Sequence, residues 1–367
     1  MHLVSVAALM RQQAEACGGL GSPLYAAVLE QVAQDVAAQG PCARAVAGYE
    51  QAAESDALPL RLLAGVHALA LTGRAPDLAA HYPSTGGTFD PGRPAACWSA
   101  FRAAVAAETA WVRDWLTRPP QTNEVGRANL LIAGLLKAAV TVPLPIRLFE
   151  LGASAGLNLR ADRFRCTSKS FTWGPQDASV VLTDAWHGDP PEWLTAAAAE
   201  HPSLTIAERR GCDLTPIDPL SPSGALALRA YVWPDQTDRV ARLDGALRLA
   251  GRLPAEVTAL GAADFLSGVT LQPGTLTVVW HSVMRQYVPA AEWQQVEREL
   301  DRLAAASTAR AGFAHVFFEP VGDRPRFRLT VRLGTAPETA LAEAHPHGLP
   351  ARSIDTGSIG GPVTVQG

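Results

Sequence analysis

The chain has 367 residues, of which 48% are hydrophobic and 18% charged, and its formal net charge is -4. This composition is typical of a globular protein with a sizeable core rather than of a disordered chain. The length predicts two domains, or one large domain with an insertion. Because no basic stripe offsets the negative charge, we expect no nucleic-acid partner.

The cysteines and the apolar segments indicate where the protein resides. None of the five cysteines has Cys-x-x-Cys spacing, which favours buried free thiols over disulfides or a zinc site. Residues 1–13 reach Arg11 too early for a signal peptide and predict an amphipathic helix. The longest apolar run, residues 130–142, contains Lys137 and is too short to cross a bilayer. We therefore expect a cytoplasmic protein without a membrane partner.

Residues 1–120 are predicted to form a helical N-terminal region. Segments rich in Ala and Leu at 24–40, 58–73 and 98–120 have helical periodicity, and each ends at glycine or proline. Residues 83–94 contain several glycines and prolines, which predicts a surface loop.

Residues 121–367 predict an α/β domain. After Pro145, short apolar runs alternate with helical patterns, which is typical of a doubly wound, Rossmann-like parallel sheet. Residues 146–152 are the predicted first strand, and residues 160–228 a partly antiparallel insertion after it. Further strands are predicted at 227–236, 255–266, 275–284 and 313–321, with helices at 192–201, 237–253 and 292–307.

The segment ELGASAGLNL, residues 150–159, fits two kinds of site. As G-x-S-x-G it is the nucleophile elbow of a serine hydrolase, with Ser154 as nucleophile and Glu319 and His345 or His347 as later partners. As an acid followed by a glycine-rich turn, it lets a nucleotide-like cofactor approach the backbone before a helix. The hydrolase elbow requires several preceding strands, whereas about 140 helical residues precede this segment. The cofactor hypothesis is therefore favoured.

Within that hypothesis the segment resembles the opening of class I S-adenosylmethionine-dependent methyltransferases, E/D-x-G-x-G-x-G, although Ser154 replaces the middle glycine. The resemblance implies S-adenosylmethionine as cofactor and a role in binding it for the acid and turn residues. It also implies a ribose-binding acid after the second strand, an adenine contact after the third, and reactive residues after the fourth. The cofactor residues so assigned are Glu150, Gly152, Ala153, Ser154, Gly156, Asp235 for the ribose and Asp264 for the adenine.

The ribose-binding acid has alternatives. Asp235 precedes Thr237 and a predicted helix, so it is equally suited to cap that helix. Asp184 and Asp213 are the other candidates, and Asp184 lies closer to the interval of about 20 residues usual in dinucleotide folds.

Six segments together resemble a bacterial family, domain of unknown function 2332. They are QTNEVGR (121–127), ELGASAGLNL (150–159), ERRGCDLTPID (208–218), VWPDQTDR (232–239), WHSVMRQY (280–287) and HPHG (345–348). This resemblance implies a methyltransferase-like fold and leaves the substrate open.

Several further residues are candidates for substrate binding and proton transfer. His281 follows an apolar strand, Glu319 ends the last clear one, and Tyr287 lies close behind His281, so these three are the catalytic candidates. Arg285, Glu124 and Arg127 are candidates for binding a small-molecule substrate, although Glu124 and Arg127 also suit a surface ion pair. Asn123 is a candidate contact to the amino-acid end of the cofactor. His345 and His347 lack an identifiable third metal ligand, so no metal is expected.

The function predicted from these residues is S-adenosylmethionine-dependent methyl transfer to a small molecule. Two alternatives stay open: a non-catalytic protein that binds S-adenosylmethionine or a nucleoside, and the serine hydrolase.

Overall fold

A computed structural model describes residues 5–53, 56–120, 122–322 and 326–354. The chain divides into two compact units, one built from Met1–Asn123 and Ile217–Leu247, the other from Glu124–Pro216 and Arg248–Gly367. Residues 121–123 and 217–247 are grouped with the helical unit, whereas the sequence predicts both within the α/β domain. The first four residues of the predicted N-terminal helix lie outside the described ranges.

The described chain contains the following α-helices: α1 Val6–Gly19, α2 Pro23–Ala37, α3 Pro41–Ala45, α4 Leu58–Leu71, α5 Pro76–Ala79, α6 Pro94–Ala107, α7 Thr109–Leu116, α8 Ala128–Thr141, α9 Glu192–Glu200, α10 Pro222–Ala230, α11 Thr237–Ala250, α12 Ala262–Ser267 and α13 Ala290–Ala305. In the described ranges, none of them has the length and apolar content that a membrane span requires.

The first unit is all-helical in its described part, as predicted, and contains α1 to α7, α10 and α11 as far as Leu247. The predicted helix at 98–120 is interrupted at Glu108, whose backbone leaves the helical region and separates α6 from α7. The core contains fully buried aromatic side chains, including Tyr25, Tyr82 and Phe101. The cysteines of the chain are free and buried, which confirms that prediction.

The predicted strand at 227–236 is wrong. Ser221 caps a helix there by accepting a hydrogen bond from the backbone N–H of Gly224 at 3.0 Å, and Pro222 occupies the first turn. Serine followed by proline is a strong helix start, because proline needs no hydrogen-bond acceptor there. The apolar residues of α10 therefore pack at helical spacing, and Ala230 joins a core cluster with Ala64 and Ala68.

The residues that the structure describes contain the following strands, in chain order: β1 Ile146–Leu151, β2 Arg165–Ser168, β3 Phe171–Trp173, β4 Val181–Leu182, β5 Ile206–Asp213, β6 Glu256–Ala259, β7 Thr275–Ser282, β8 Ala311–Val321, β9 Arg326–Leu333, β10 Thr339–Ala344 and β11 Ala351–Ser353. Eight of them form a sheet in the order β11-β10-β9-β8-β7-β1-β5-β6, and the other three form a small sheet in the order β3-β2-β4. The strands from β6 across to β8 are parallel, and β9 to β11 are antiparallel. The central sheet is thus mostly parallel, as the sequence predicts.

Residues 204–219 fall within the predicted insertion, but their strand β5 lies in the main sheet beside β1. Its four consecutive charged or small residues resemble a surface segment more than a buried strand. Ion pairs stabilise the charged residues of β5 within the sheet. Arg147 pairs with Glu208 at 2.6 Å, and Arg209 pairs with Asp162 at 2.8 Å. Buried charges of this kind are stable only when paired.

Two further predictions near the sheet need correction. The predicted strand at 255–266 is shorter, because β6 ends at Ala259 and α12 begins at Ala262. The helix expected near Gly156 is a short 3-10 helix, Leu157–Arg163, interrupted at Arg160. A short 3-10 segment offers a much smaller aligned dipole than a regular α-helix.

Candidate functional site

The candidate site lies at the carboxyl edge of the parallel strands in the second unit. Chain order along the sheet reverses at β1, with β5 and β6 on one side and β7 and β8 on the other. Open α/β sheets place ligands outside the carboxyl ends of the strands at such a switch point. The loops that begin there follow Leu151, Asp213, Ala259, Ser282 and Val321.

A left-handed turn follows β1 and is fixed to the end of β5. Gly152, Ser154 and Gly156 have φ angles of 65°, 52° and 63°. Glycine adopts this conformation without cost, but Ser154 carries the strain of a β-carbon. The backbone N–H of Ala153 donates to the carbonyl of Cys212 at 2.9 Å, and that of Ser154 donates to Asp213 Oδ2 at 2.9 Å. The turn therefore depends on the neighbouring strand.

Glu150 is a buried acid at this edge. It is 3% exposed, and burial raises its pKa to about 8, although the nearby Trp280 indole and Arg127 act in the opposite direction. In the described part of the chain, Glu150 Oε2, Ser154 Oγ and Asn158 Oδ1 are buried without a hydrogen-bond partner. Buried oxygens of this kind are unusual unless a water or ligand supplies the donor.

The three candidate ribose acids lie in different places. Asp213 is the last residue of β5, and its Oδ1 accepts a hydrogen bond from the N–H of Thr215 at 2.9 Å. Asp184 is exposed in the turn after β4 and has a φ of 50°.

Asp235 belongs to the helical unit and not to a strand end. Its Oδ1 accepts from the Ser22 hydroxyl at 2.7 Å and its Oδ2 from the N–H of Leu24 at 3.0 Å. The side chain therefore stabilises the start of α2. Because residues 227–236 form no strand, the strand-end argument for ribose binding does not apply to Asp235.

His281 and Glu319 are brought together by β7 and β8. His281 Nδ1 lies 2.7 Å from Glu319 Oε1, and His281 Nε2 lies 3.0 Å from Nε2 of His315. All three side chains are buried, with His281 only 1% exposed. With both ring nitrogens engaged, His281 is poorly placed to touch a substrate. His315 was missed, although His315, Phe317 and Glu319 alternate along one strand and so share a face.

The segment after β7 covers the turn. Met284 lies beside Gly152, such that a β-carbon on Gly152 would be 3.1 Å from the Met284 β-carbon. Val283 has a φ of 52°, which is strained for a β-branched residue. Arg285 pairs with Glu297 at 3.5 Å and stacks on Trp293. Tyr287 is 64% exposed.

The predicted substrate residues at the start of α8 have structural contacts. Glu124 accepts a hydrogen bond from the N–H of Gly126 at 3.0 Å and, through its carbonyl, from the Asn158 side chain at 3.2 Å. Arg127 donates to the carbonyls of Pro346 and Ser282 at 2.9 and 3.3 Å. Arg127 thus joins the HPHG turn to the end of β7.

The remaining candidates are less informative. Asn123 is half-buried and is the last residue of the first unit's N-terminal segment. Asp264 is exposed in the first turn of α12, just after β6. His345 and His347 lie between β10 and β11. Within the described ranges, no group of three His, Cys, Asp or Glu side chains is arranged to hold a metal ion.

Comparison with known proteins gives a family but no characterised relative. No curated protein and no solved structure matches the chain significantly. The model of one family, described as an uncharacterized protein conserved in bacteria (DUF2332), matches residues 7–352. Of the six segments that resemble that family, 150–159, 280–287 and 345–348 lie in the second unit and 232–239 lies in the helical unit. The described part of 121–127 and the segment 208–218 each cross from one unit to the other. Because the match spans nearly the whole sequence, the chain belongs to this bacterial family of unknown function.

Proposed function

We propose that the protein is an S-adenosylmethionine-dependent methyltransferase that acts on a small molecule. The observation that carries the proposal is a pair of acids at the carboxyl ends of adjacent parallel strands at the switch point. Glu150 is the penultimate residue of β1 and precedes the left-handed turn, and Asp213 is the last residue of β5 and binds that turn. The strand order β6-β5-β1-β7-β8 supports it, because this is the 3-2-1-4-5 order of doubly wound nucleotide-binding sheets.

The residues present fit this cofactor, whose chemical contribution when bound is an activated methyl group. Gly152 and Gly156 give the turn its left-handed backbone conformation without strain. Glu150 Oε2 and Ser154 Oγ are buried acceptors that have no donor among the described residues. Asp213 replaces Asp235 as the proposed ribose acid, because Asp213 ends the strand next to β1. Asp264, just after β6, keeps the proposed adenine contact.

The acidic side chains of the site also favour S-adenosylmethionine as the cofactor. The cofactor carries a sulfonium and an ammonium group, and Glu150, Asp213 and Glu319 all lie at this edge of the sheet. Since burial raises the pKa of Glu150 to about 8, a hydrogen-bond donor or cation beside it would favour ionisation. Methyl transfer itself needs mainly alignment and exclusion of water, so few side chains are obligatory.

Calorimetry with S-adenosylmethionine and S-adenosylhomocysteine tests the proposal. We expect wild-type protein to bind both and Gly152→Val to bind neither, because a side chain at this left-handed position collides with Met284 and displaces the turn. Gly274→Val is the matched control, since Gly274 also has a left-handed φ, 78°, but no atom within 4 Å of its missing β-carbon. Both variants lose stability through backbone strain, and only Gly152→Val should lose binding. Absence of binding to wild-type protein at millimolar ligand would refute the proposal.

A serine hydrolase is the second candidate, because Ser154 has the strained φ that a nucleophile elbow imposes. Its hydroxyl has no hydrogen-bonded histidine among the described residues, and Glu319 contacts His281 rather than His345 or His347. The non-catalytic alternative differs in outcome: such a protein would bind cofactor without ever forming S-adenosylhomocysteine.

A further inference from the structure

Glu319 presents one engaged and one unengaged oxygen. Its Oε1 accepts hydrogen bonds from His281 Nδ1 at 2.7 Å and from the N–H groups of Met284 and Arg285 at 3.1 and 3.4 Å. Its Oε2 is buried and has no partner among the described residues. Since buried carboxylate oxygens normally have a donor, Oε2 is where a bound molecule can supply one.

His315 fixes the orientation of His281. A carboxylate only accepts, so His281 Nδ1 must carry the proton that it shares with Glu319. One further proton lies between the Nε2 atoms of His281 and His315, which are 3.0 Å apart. Burial, His281 and Arg332 lower the pKa of His315 well below its usual range, so His315 is neutral. Stacking of both rings on Phe317 holds this arrangement.

The arginines around this cluster are engaged elsewhere. Arg285 pairs with Glu297, and Arg332 pairs with Asp301 on α13 at 2.7 Å. Arg328 lies opposite Glu319 in the β8–β9 register but pairs with Glu343 at 2.8 Å. Among the described side chains, His281 is the one that donates a hydrogen bond to Glu319.

We propose that Glu319 is the general base of the site and that the methyl acceptor is a hydroxyl or amine whose nucleophilic atom carries a proton. This inference rests on the proposed methyltransferase function. The acceptor oxygen or nitrogen forms a bond to the methyl carbon, and the bond from that carbon to sulfur breaks with its electron pair remaining on sulfur. The acceptor proton passes to Glu319 Oε2. His281 and His315 are positioning residues, because they act through Glu319.

The test uses full-length protein, S-adenosylmethionine and the small-molecule fraction of a bacterial extract as acceptor pool, with S-adenosylhomocysteine formation as the activity. Glu319→Gln keeps the acceptor for His281 and the loop but removes the base, so we expect turnover to fall by about 100-fold or more. Its affinity for S-adenosylhomocysteine should stay within about twofold, since binding does not need the base. Glu297→Gln, an exposed acid near the same loop, is the control and should retain wild-type turnover.

The positioning role of His315 is tested by measurements that a change in packing alone would not alter. In ligand-free wild-type protein, nitrogen NMR of the histidines should show a proton on His281 Nδ1, because this atom donates to Glu319. His315→Phe should shift the midpoint of the pH–rate profile, with His315→Gln restoring it in part.

The possible outcomes are distinct. No binding of S-adenosylmethionine refutes the proposed function and this inference together. Binding without turnover on any extract favours the non-catalytic alternative and likewise refutes both. Turnover by Glu319→Gln within about threefold of wild type, or an unprotonated His281 Nδ1, refutes the inference alone. A product methylated on a proton-free atom, such as a thioether sulfur, does the same, whereas an O-methyl or N-methyl product supports it.

Discussion

The carboxylate of Asp213 accepts a hydrogen bond from the backbone N–H of Ser154 at 2.9 Å, so the acid that ends one strand holds the turn that follows its neighbour. Its other oxygen accepts from the N–H of Thr215, also at 2.9 Å. A ligand hydroxyl would have to share these oxygens with the backbone. Asp213 therefore combines a structural task with the proposed contact to the ribose.

Replacing Asp213 by Ala should weaken cofactor binding, because the substitution frees the turn and removes a charged acceptor. Loss of such an acceptor costs about 1.5–3 kcal/mol, or roughly tenfold to hundredfold in affinity. Calorimetry with S-adenosylhomocysteine measures the change, and Asp184→Ala, at an exposed turn position, is the control. An unaltered affinity in Asp213→Ala would move the ribose contact away from this strand.

Replacing Asp235 by Ala should instead lower stability. The substitution removes the acceptor for the Ser22 hydroxyl and the Leu24 N–H at the start of α2. Loss of a helix cap costs about 1 kcal/mol. Chemical denaturation should show this loss, while exposed Asp238→Ala should change stability little. A marked fall in cofactor affinity with unchanged stability would contradict the capping role and reinstate Asp235 as a ligand contact.

Glu150 should make the protein less stable as pH rises. Its folded pKa of about 8 exceeds its ordinary value of 4.5, so between these values the folded protein binds more protons than the unfolded chain. Stability then falls by up to about 1.4 kcal/mol for each pH step in that window. Thermal melts should show that the stability of Glu150→Gln relative to wild type increases from pH 5 to 8. Above pH 8 the difference in stability should stay constant. A difference that is independent of pH would show that Glu150 ionises normally.

Cofactor binding should release a proton if a ligand hydroxyl or amine donates to Glu150, because such a donor favours the ionised carboxylate. At pH 7 the enthalpy of S-adenosylhomocysteine binding should then depend on the ionisation enthalpy of the buffer. Glu150→Gln should bind more weakly and lose this dependence. Equal enthalpies in all buffers for wild-type protein would argue against a hydrogen bond from the ligand to Glu150.

Ser154 distinguishes the two candidate chemistries. As a cofactor-turn residue its hydroxyl contributes at most one hydrogen bond, about 0.5–1.5 kcal/mol, so Ser154→Ala should cost about tenfold or less in affinity. A hydrolase nucleophile would react with a fluorophosphonate. We expect intact-mass measurement of treated wild-type protein to show no adduct. A stoichiometric adduct that disappears in Ser154→Ala would favour the hydrolase.

Local signals in the sequence were sufficient for much of the fold. The helical first unit, β1, β7, β8 and α13 follow from periodicity and from breakers such as Gly40 and Gly73, because an element that buries one face repeats its apolar residues at the spacing of that element. The turn at 152–156 was also recognisable, since glycine marks positions where the backbone is left-handed.

Only the tertiary structure determined which residues form ion pairs and hydrogen bonds with one another. β5 carries four charged residues and is a central strand only because Arg147 and Asp162 pair with two of them from elsewhere in the chain. Asp235 was misplaced because its partners, Ser22 and Leu24, lie more than 200 residues away. His281 and His315 meet only through the register of β7 and β8. Long-range ion pairing and strand register depend on the whole fold, so local sequence patterns do not encode them.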